Sequence, residues 1–433
     1  MSLTSSIVPT SENLPTRLIE LPEALRLPGL GLWLRLLLRL GARLDCGTLL
    51  LTLPDGRTVA LRGQRPGSVA ALTLHQQTAA RRILLRGGLG FAESHVDGGW
   101  TTPDLTALLG LIAENRALIG EAGQGKPWMA LLARLGQALN RNHRRGARRN
   151  IMAHYDLGND FYAAWLDPGM TYSAAVFEAT DDLLAAQEAK FRLLADKLRL
   201  RPDDHVLEIG CGWGGFAEHA AREHGARVTA ITLSPAQFDH ARRRIFEAGL
   251  AERVEIRLQD YRDTRGRFDK IASIEMFEAV GEAYWPVYFG RIRDLLAEGG
   301  RAALQVITIA EAHFPRYRRS MDFIQKYVFP GGMLPSPSIF EAEARAAGLN
   351  PEAVTRHGPD YARTLKQWRE RFEASFERIR GLGFDDRFRR LWTYYLAYCE
   401  AGFRTGSTDV IQVTLTREIG ERSVVSPLSP SAG

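Results

Sequence analysis

Cysteine is scarce in this chain: Cys46, Cys211 and Cys399 are the only three among 433 residues. Odd in number and far apart, they offer no disulfide framework and no metal-ligand spacing, so no metal is expected and a reducing, cytoplasmic setting is. Long apolar runs are missing as well. No stretch approaches the roughly 18–20 residues of a membrane span. The opening MSLTSSIVPTSENLPT lacks the charged start and apolar core of a secretory signal. A recognised nucleic-acid module and an Asn/Asp-Pro-Pro-Tyr/Phe base-flipping segment are both absent, which argues against a nucleic-acid enzyme.

What is present is an ordinary globular composition, 45% hydrophobic and 24% charged. Its length predicts two domains. The net charge of +6 admits an anionic partner such as a membrane surface. A solvated, arginine-rich exterior is the plainer reading of the same charge.

The stretch VLEIGCGWGGF at 206–216 organises the rest. An apolar run carrying Glu208 ends in Gly210, Gly212, Gly214 and Gly215, and a helix-like segment follows. This is a buried strand, a tight turn and a helix start, where glycine lets the backbone approach a ligand. Downstream, strands are expected at 228–233, 254–258, 268–274 and 301–309, with helices at 236–248 and 285–296. A further helix is expected before the motif, at 183–198. The alternation predicts a parallel, doubly wound α/β sheet, whose ligands bind beyond the carboxyl ends of the strands. Gly210–Gly214, Thr232–Ser234, Asp260–Tyr261 and Glu275–Gly281 fall at those ends. The second strand ends without the acidic residue of a dinucleotide site and GxGxxG is not met, which weakens an NAD reading.

Residues 20–120 read as a smaller α+β unit. A basic amphipathic helix is expected at 30–44, with Arg35, Arg39 and Arg43 on one stripe. Such a helix packs on its own domain or lies on a membrane. A hairpin follows around Pro54-Asp55-Gly56, then a strand at 69–74 and a helix at 77–85. Gly87-Gly88 and Gly98-Gly99 are read as turns, and Thr102 as the N-cap of a helix to about Asn115. The domains are therefore drawn as 1–140, a basic linker at 141–150 with five arginines, and a catalytic domain at 151–433. Residues 1–20 are expected to be poorly ordered.

Several motifs occur in order: HYDLGNDF at 154–161, TYS at 171–173, LEIGCGWGG at 207–215, ITLSPAQ at 231–237, QDYRD at 259–263, EMFEAVG at 275–281, KYVFPGGMLPS at 326–336 and YYLAYCEAGFR at 394–404. Together they resemble the cyclopropane-fatty-acyl-phospholipid synthase family, relatives of the mycolic acid methyltransferases, from about Gly47 onward. The resemblance implies a class I methyltransferase fold, preceded by the smaller α+β domain, with S-adenosylmethionine as methyl donor. It implies a cis double bond in an acyl chain of a membrane phospholipid as acceptor. The basic linker, the amphipathic segment at 30–44 and the absence of a span predict peripheral association with that membrane. Carried onto this chain, the donor site comprises Gly210 and Gly212 at the amino-acid portion, Thr232, Leu233 and Gln237 at the ribose, and Asp260 and Tyr261 at the adenine. Tyr172 and Ser173 close over it.

The family is thought to use bound bicarbonate as the base. Its ligands map to positions 174, 278, 305 and 361. Glu278 and Tyr361 are retained, but Ala174 replaces a cysteine and Gln305 a histidine. Glu278 is expected to face the reacting centre, with Tyr361 and Gln305 as donors; His357, four residues before Tyr361, is more simply a surface residue. The segment 314–335 is the candidate acyl groove, through Tyr317, Phe323, Tyr327 and Phe329, or else an ordinary packed helix and loop. The leading expectation is methylene transfer closing a cyclopropane. The alternative is a fatty-acyl C-methyltransferase that gives a methyl-branched or methylene product. A degenerate lipid-binding protein is disfavoured because the donor motifs are complete. A homodimer is compatible with the sequence.

Overall fold

The computed structural model describes residues 18–115 and 157–417. The arginine-rich linker and the first three residues of HYDLGNDF lie outside them, as do residues 1–17.

The N-terminal unit is a five-stranded sheet of order β1-β3-β2-β4-β5: β1 Leu18–Glu20, β2 Cys46–Thr52, β3 Thr58–Arg62, β4 Arg65–Leu74 and β5 Trp100–Thr101. The β2–β3 hairpin closes where expected, with Gly56 at φ 86° donating its N–H to Leu53 O. Helix α1, Leu32–Gly41, packs on the helix 77–96 and buries Leu34 and Leu38 in the shared apolar core, each worth about 2 kcal/mol of apolar burial. Arg35, Arg39 and Arg43 stay exposed, and Leu32 is 65% exposed among them.

Gly87-Gly88 marks a turn as expected: α2, Gln77–Val96, is two helical segments joined at Gly87, whose φ of 56° and ψ of −135° break the helical path. One expectation is corrected here. Helix α3, Leu105–Glu114, is capped by Asp104, which accepts from the Ala107 N–H; the Thr102 hydroxyl instead donates to Ala71 O.

The second sheet has seven strands in the order β11-β12-β10-β9-β6-β7-β8. The parallel part is β6 His205–Ile209, β7 Arg227–Thr232, β8 Val254–Leu258, β9 Phe268–Ile274 and β10 Leu296–Ile309. Two antiparallel strands at one edge, β11 Leu349–Arg356 and β12 Thr408–Arg417, were not legible beforehand. Helices α4 Leu183–Leu198, α5 Gly215–His224, α6 Pro235–Glu247, α7 Trp285–Leu295 and α8 Pro337–Ala346 accompany the sheet. Strand β6 lies between β9 and β7, so the order reverses there and a crevice opens beyond its carboxyl end.

Helices α9 Gly358–Ala374 and α10 Asp386–Arg404 pack together and join the N-terminal unit to the second sheet. One apolar core includes Leu38 and Trp100 from the first, Trp165, and Trp368 and Trp392 from these helices. Polar ties cross the same junction: Thr106 Oγ1 donates to the buried Glu400 Oε2 at 3.0 Å, which also accepts from Arg369 Nε at 3.0 Å.

Candidate active site

A cavity opens at the carboxyl ends of β6, β7 and β9. Tyr172, Ser173, Gly210, Gly212, Thr232, Leu233, Gln237 and Tyr261 line it, so eight of the nine expected donor-site residues converge. Asp260 is not among the lining residues. Its carboxylate caps the 3-10 turn Tyr261–Asp263 and accepts from the N–H and Nε of Arg262. Gly212 has φ 53° and its absent Cβ would meet nothing within 4 Å. Ser234 caps α6 by accepting from the Gln237 N–H, and the Thr232 hydroxyl donates to Gln237 Oε1 at 2.9 Å. LGNDF also acquires a role, because Asn159 Oδ1 accepts from Trp213 Nε1 at 2.9 Å and holds the indole of the Gly-rich turn.

Charged groups behind this cavity were missed by the sequence reading. Glu208, the penultimate residue of β6, lines the cavity with Oε2 buried and unpartnered. Burial pushes its carboxyl up to about 8, against the pull of Lys190. Lys190 on α4 is wholly buried, donating to Ser173 Oγ at 2.7 Å and Gln187 Oε1 at 2.6 Å. Burial lowers its ammonium to about 7, although Glu275, Asp167 and Glu208 all favour the charged form. An orphaned carboxylate beside a glycine cradle fits a ligand that carries positive charge and must approach the backbone closely.

Glu275, the first residue after β9, lines the same cavity. Its Oε1 accepts from the Ala174 N–H at 2.7 Å and Gln305 Nε2 at 2.8 Å; its Oε2 accepts from the Tyr361 hydroxyl at 2.7 Å. Burial raises its pKa, opposed by these hydrogen bonds and by Lys190. Its backbone lies in the left-handed region, φ 51°, where a side chain costs about 1–2 kcal/mol relative to glycine. Gln412 Nε2 donates to Gln305 Oε1 at 3.0 Å, which turns the Gln305 amide donors toward Glu275.

Glu278 is placed differently from the expectation. It is not among the cavity-lining residues; its Oε1 accepts from the Ile307 N–H and its Oε2 is buried without a partner. Burial, and then Glu275, push it up to about 8, so at neutral pH it keeps its proton. Tyr361 and Gln305 do meet at a carboxylate, and that carboxylate belongs to Glu275. The signal available in the sequence was its position at a strand end, in EMFEAVG. Its backbone conformation was not readable.

None of the four candidate acyl residues lines the cavity. Phe323 packs on Tyr394 with ring centroids 4.8 Å apart, and Phe329 lies against Tyr395 at 6.2 Å. The Tyr327 hydroxyl donates to Glu93 Oε1 of α2 at 2.8 Å, and Tyr317 accepts from the Leu334 N–H. Residues 314–335 thus pack largely as helix and loop against the rest of the chain, including the N-terminal unit. His357 engages Thr355 and Asp360 rather than the cavity.

A largely parallel sheet with a glycine cradle at its switch point and a buried, unpaired acid in the cavity wall defines a class I methyltransferase that uses S-adenosylmethionine. More narrowly, the chain belongs to the family described as mycolic acid cyclopropane synthetase, whose model matches residues 142–413. It is 42% identical over 363 residues to tuberculostearic acid methyltransferase UfaA1 of Mycobacterium tuberculosis, covering 80% of this chain and 83% of that one. It is 34% identical over 364 residues to cyclopropane-fatty-acyl-phospholipid synthase of Escherichia coli K12, covering 83% and 91%. Among solved structures, mycolic acid cyclopropane synthase CmaA1 complexed with SAH and CTAB matches with a TM-score of 0.59 at 32% identity, over 62% of this chain and 97% of that one.

Proposed function

We propose that this enzyme transfers a methyl group from S-adenosylmethionine to one carbon of a cis double bond in an unsaturated phospholipid acyl chain, and that loss of a proton then leaves an olefin rather than a ring. One-carbon transfer to lipid acyl chains is the activity of the family. The observation that carries the reading is the carboxylate of Glu275, held by three donors at the rim of the donor cavity. A methylated alkene is a cation, and it is discharged when a base takes a proton. The donor supplies an electrophilic methyl on a sulfonium centre. The chain's own residues do the rest: Gly210 and Gly212 admit the donor, Glu208 balances its positive charge, and the aromatic wall of Tyr172 and Trp213 shields the reacting carbon from water.

The methylated, non-cyclic outcome is favoured by the 42% identity to a methyltransferase and by Ala174 and Gln305 at the positions of the resemblance's cysteine and histidine. Ring closure is the second reading, favoured by the retained Glu278 and Tyr361 and by the 34% identity to a cyclopropane synthase. Both outcomes add one CH2. A saturated methyl branch needs a hydride donor in addition, so it requires a separate reductase. Mass spectrometry of phospholipids from a host expressing the chain separates the cases. A gain of CH2 with the olefin retained supports methylation; the same gain with the olefin lost means a ring; no gain on any unsaturated lipid removes the reading.

We also propose that residues 1–140 form an accessory domain which presents the catalytic domain to the membrane surface. Among the described residues no helix is long and apolar enough to cross a membrane. Helix α1 instead exposes Leu32 and Leu36 beside Arg35 and Arg39, a pattern suited to an anionic interface. Binding to anionic vesicles is expected to weaken as salt rises from 0.05 to 0.5 M, since exposed charges are screened beyond roughly 8–10 Å at physiological strength. The double substitution Leu32→Glu, Leu36→Glu is expected to reduce it at least tenfold. Flotation unchanged by either would overturn the proposal.

A further inference from the structure

We infer that the Glu275 carboxylate is the proton acceptor of the reaction and fills the place a bound bicarbonate would need, so that turnover requires no external anion. The inference rests on the methyl transfer to an acyl chain proposed above.

A count of donors makes the case. The Ala174 N–H has one hydrogen and gives it to Glu275. Tyr361 has one hydroxyl hydrogen and gives it to Glu275. Gln305 has two amide hydrogens; one goes to Glu275 and the other to Ala174 O at 3.2 Å. The Lys190 ammonium gives two of its three hydrogens to Ser173 Oγ and Gln187 Oε1, and Lys190 is not among the residues lining the cavity. A bicarbonate ion would need these same donors at positions 174, 305 and 361. It would also stand against a carboxylate with the fixed Glu278 carboxyl close behind. The residues present therefore do not fit bicarbonate. They form a cradle whose anion is already attached to the chain.

The backbone supports a dedicated role. Glu275 is one of five non-glycine residues with positive φ among the described residues, and it lines the donor cavity. A left-handed backbone with a buried acid is a doubly unfavourable arrangement, and such arrangements cluster at functional sites.

The alkene π pair forms the bond to the transferred methyl carbon, and the C–S pair returns to sulfur. The neighbouring acyl carbon, or the one a hydride shift makes cationic, then receives the electron pair of a C–H bond, as a new π bond or as a ring side. That proton goes to a Glu275 oxygen and is passed to water between turnovers.

The test uses the full-length protein, S-adenosylmethionine and vesicles of an unsaturated phospholipid, in buffer stripped of carbon dioxide and with bicarbonate restored. Wild-type turnover is expected to be indifferent to bicarbonate. Glu275→Gln keeps the shape and removes the base, so turnover falls by about 100-fold or more while donor affinity changes little. Glu275→Gly relaxes the backbone, empties the cradle, and is expected to regain at least tenfold of its lost turnover with added bicarbonate or formate. A wild type that stops without bicarbonate, or a folded Glu275→Gln at full rate, overturns the inference. Binding of 13C-bicarbonate, read by NMR without any lipid, is expected for Glu275→Gly and not for wild type. Wild-type binding overturns the cradle argument even where no lipid product forms, an outcome that counts separately against the methyl-transfer reading.

Discussion

Gly212→Val is expected to leave the protein folded and to weaken S-adenosylmethionine binding by at least 100-fold. The two glycines of the turn differ in what a side chain would meet. At Gly210, φ 82°, a Cβ would lie 2.8 Å from Met276 Cγ, which is a flexible side chain that can turn aside. Substitution there disturbs packing as well as binding, so a loss of affinity has two explanations. At Gly212, φ 53°, a Cβ meets nothing within 4 Å. A valine there stands in open space at the cavity wall, where the donor's amino-acid portion has to come against the backbone. The left-handed conformation adds about 1–2 kcal/mol of strain, more for a β-branched residue. That cost is small beside the stability of a chain with three large apolar clusters. Calorimetric titration measures the affinity, with circular dichroism and melting as the check on folding. A folded Gly212→Val that binds the donor as tightly as wild type would refute placement of the donor at this turn.

The alternation of strands and helices was legible because each βα unit carries its own period and its own turn. Helix α4 and strands β8 and β9 fall on the expected residues, and β6 and β7 within one residue at each end. The edge strands β11 and β12 were not legible. Residues 349–356 hold proline and charge and pair with β12 only through long-range contacts. The donor cradle was readable because glycines and a capped helix start are local features. The reacting side was readable only through the resemblance, which named positions 174, 305 and 361 but set them around Glu278 rather than Glu275. Glu275 acquires its meaning from Ala174, Gln305 and Tyr361, between 30 and 101 residues distant, and no local pattern brings these together. Its neighbour Glu278, three residues on, carried the same side chain in the better-known motif. Only the fold separates an acid whose carboxylate is held by Ile307 from one that faces the cavity.

Donor affinity is expected to rise with pH, by up to about tenfold per unit between pH 6 and 8. In the ligand-free protein, burial raises the Glu208 carboxyl from 4.5 to about 8, so at pH 7 it is mostly neutral. A sulfonium or ammonium beside its free Oε2 favours the ionised form, so binding at pH 7 must expel a proton. Below about 8, each unit of acid makes that expulsion about 1.4 kcal/mol harder. Lys190, lowered to about 7, acts in the same direction, because losing its charge removes a like charge near the ligand. The sign for stability is opposite in the unliganded protein. An acid whose folded pKa is raised favours folding fully below its unfolded value, and that contribution is lost as pH rises from about 4.5 through 8. The donor therefore restores most stability at the alkaline end, where Glu208 is ionised and otherwise unpaired. Glu208→Gln separates the two groups. It is expected to bind the donor at least tenfold more weakly at pH 8 and to flatten the dependence, leaving only the shallow part due to Lys190. Titrations in two buffers of different ionisation enthalpy count the proton directly. Near one proton released at pH 7 in wild type, and clearly fewer in Glu208→Gln, is the expected result. Equal release in both proteins would transfer the linkage from Glu208 to Lys190, and no release in either would mean that the acid near the carboxyl end of β6 does not meet the donor's charge.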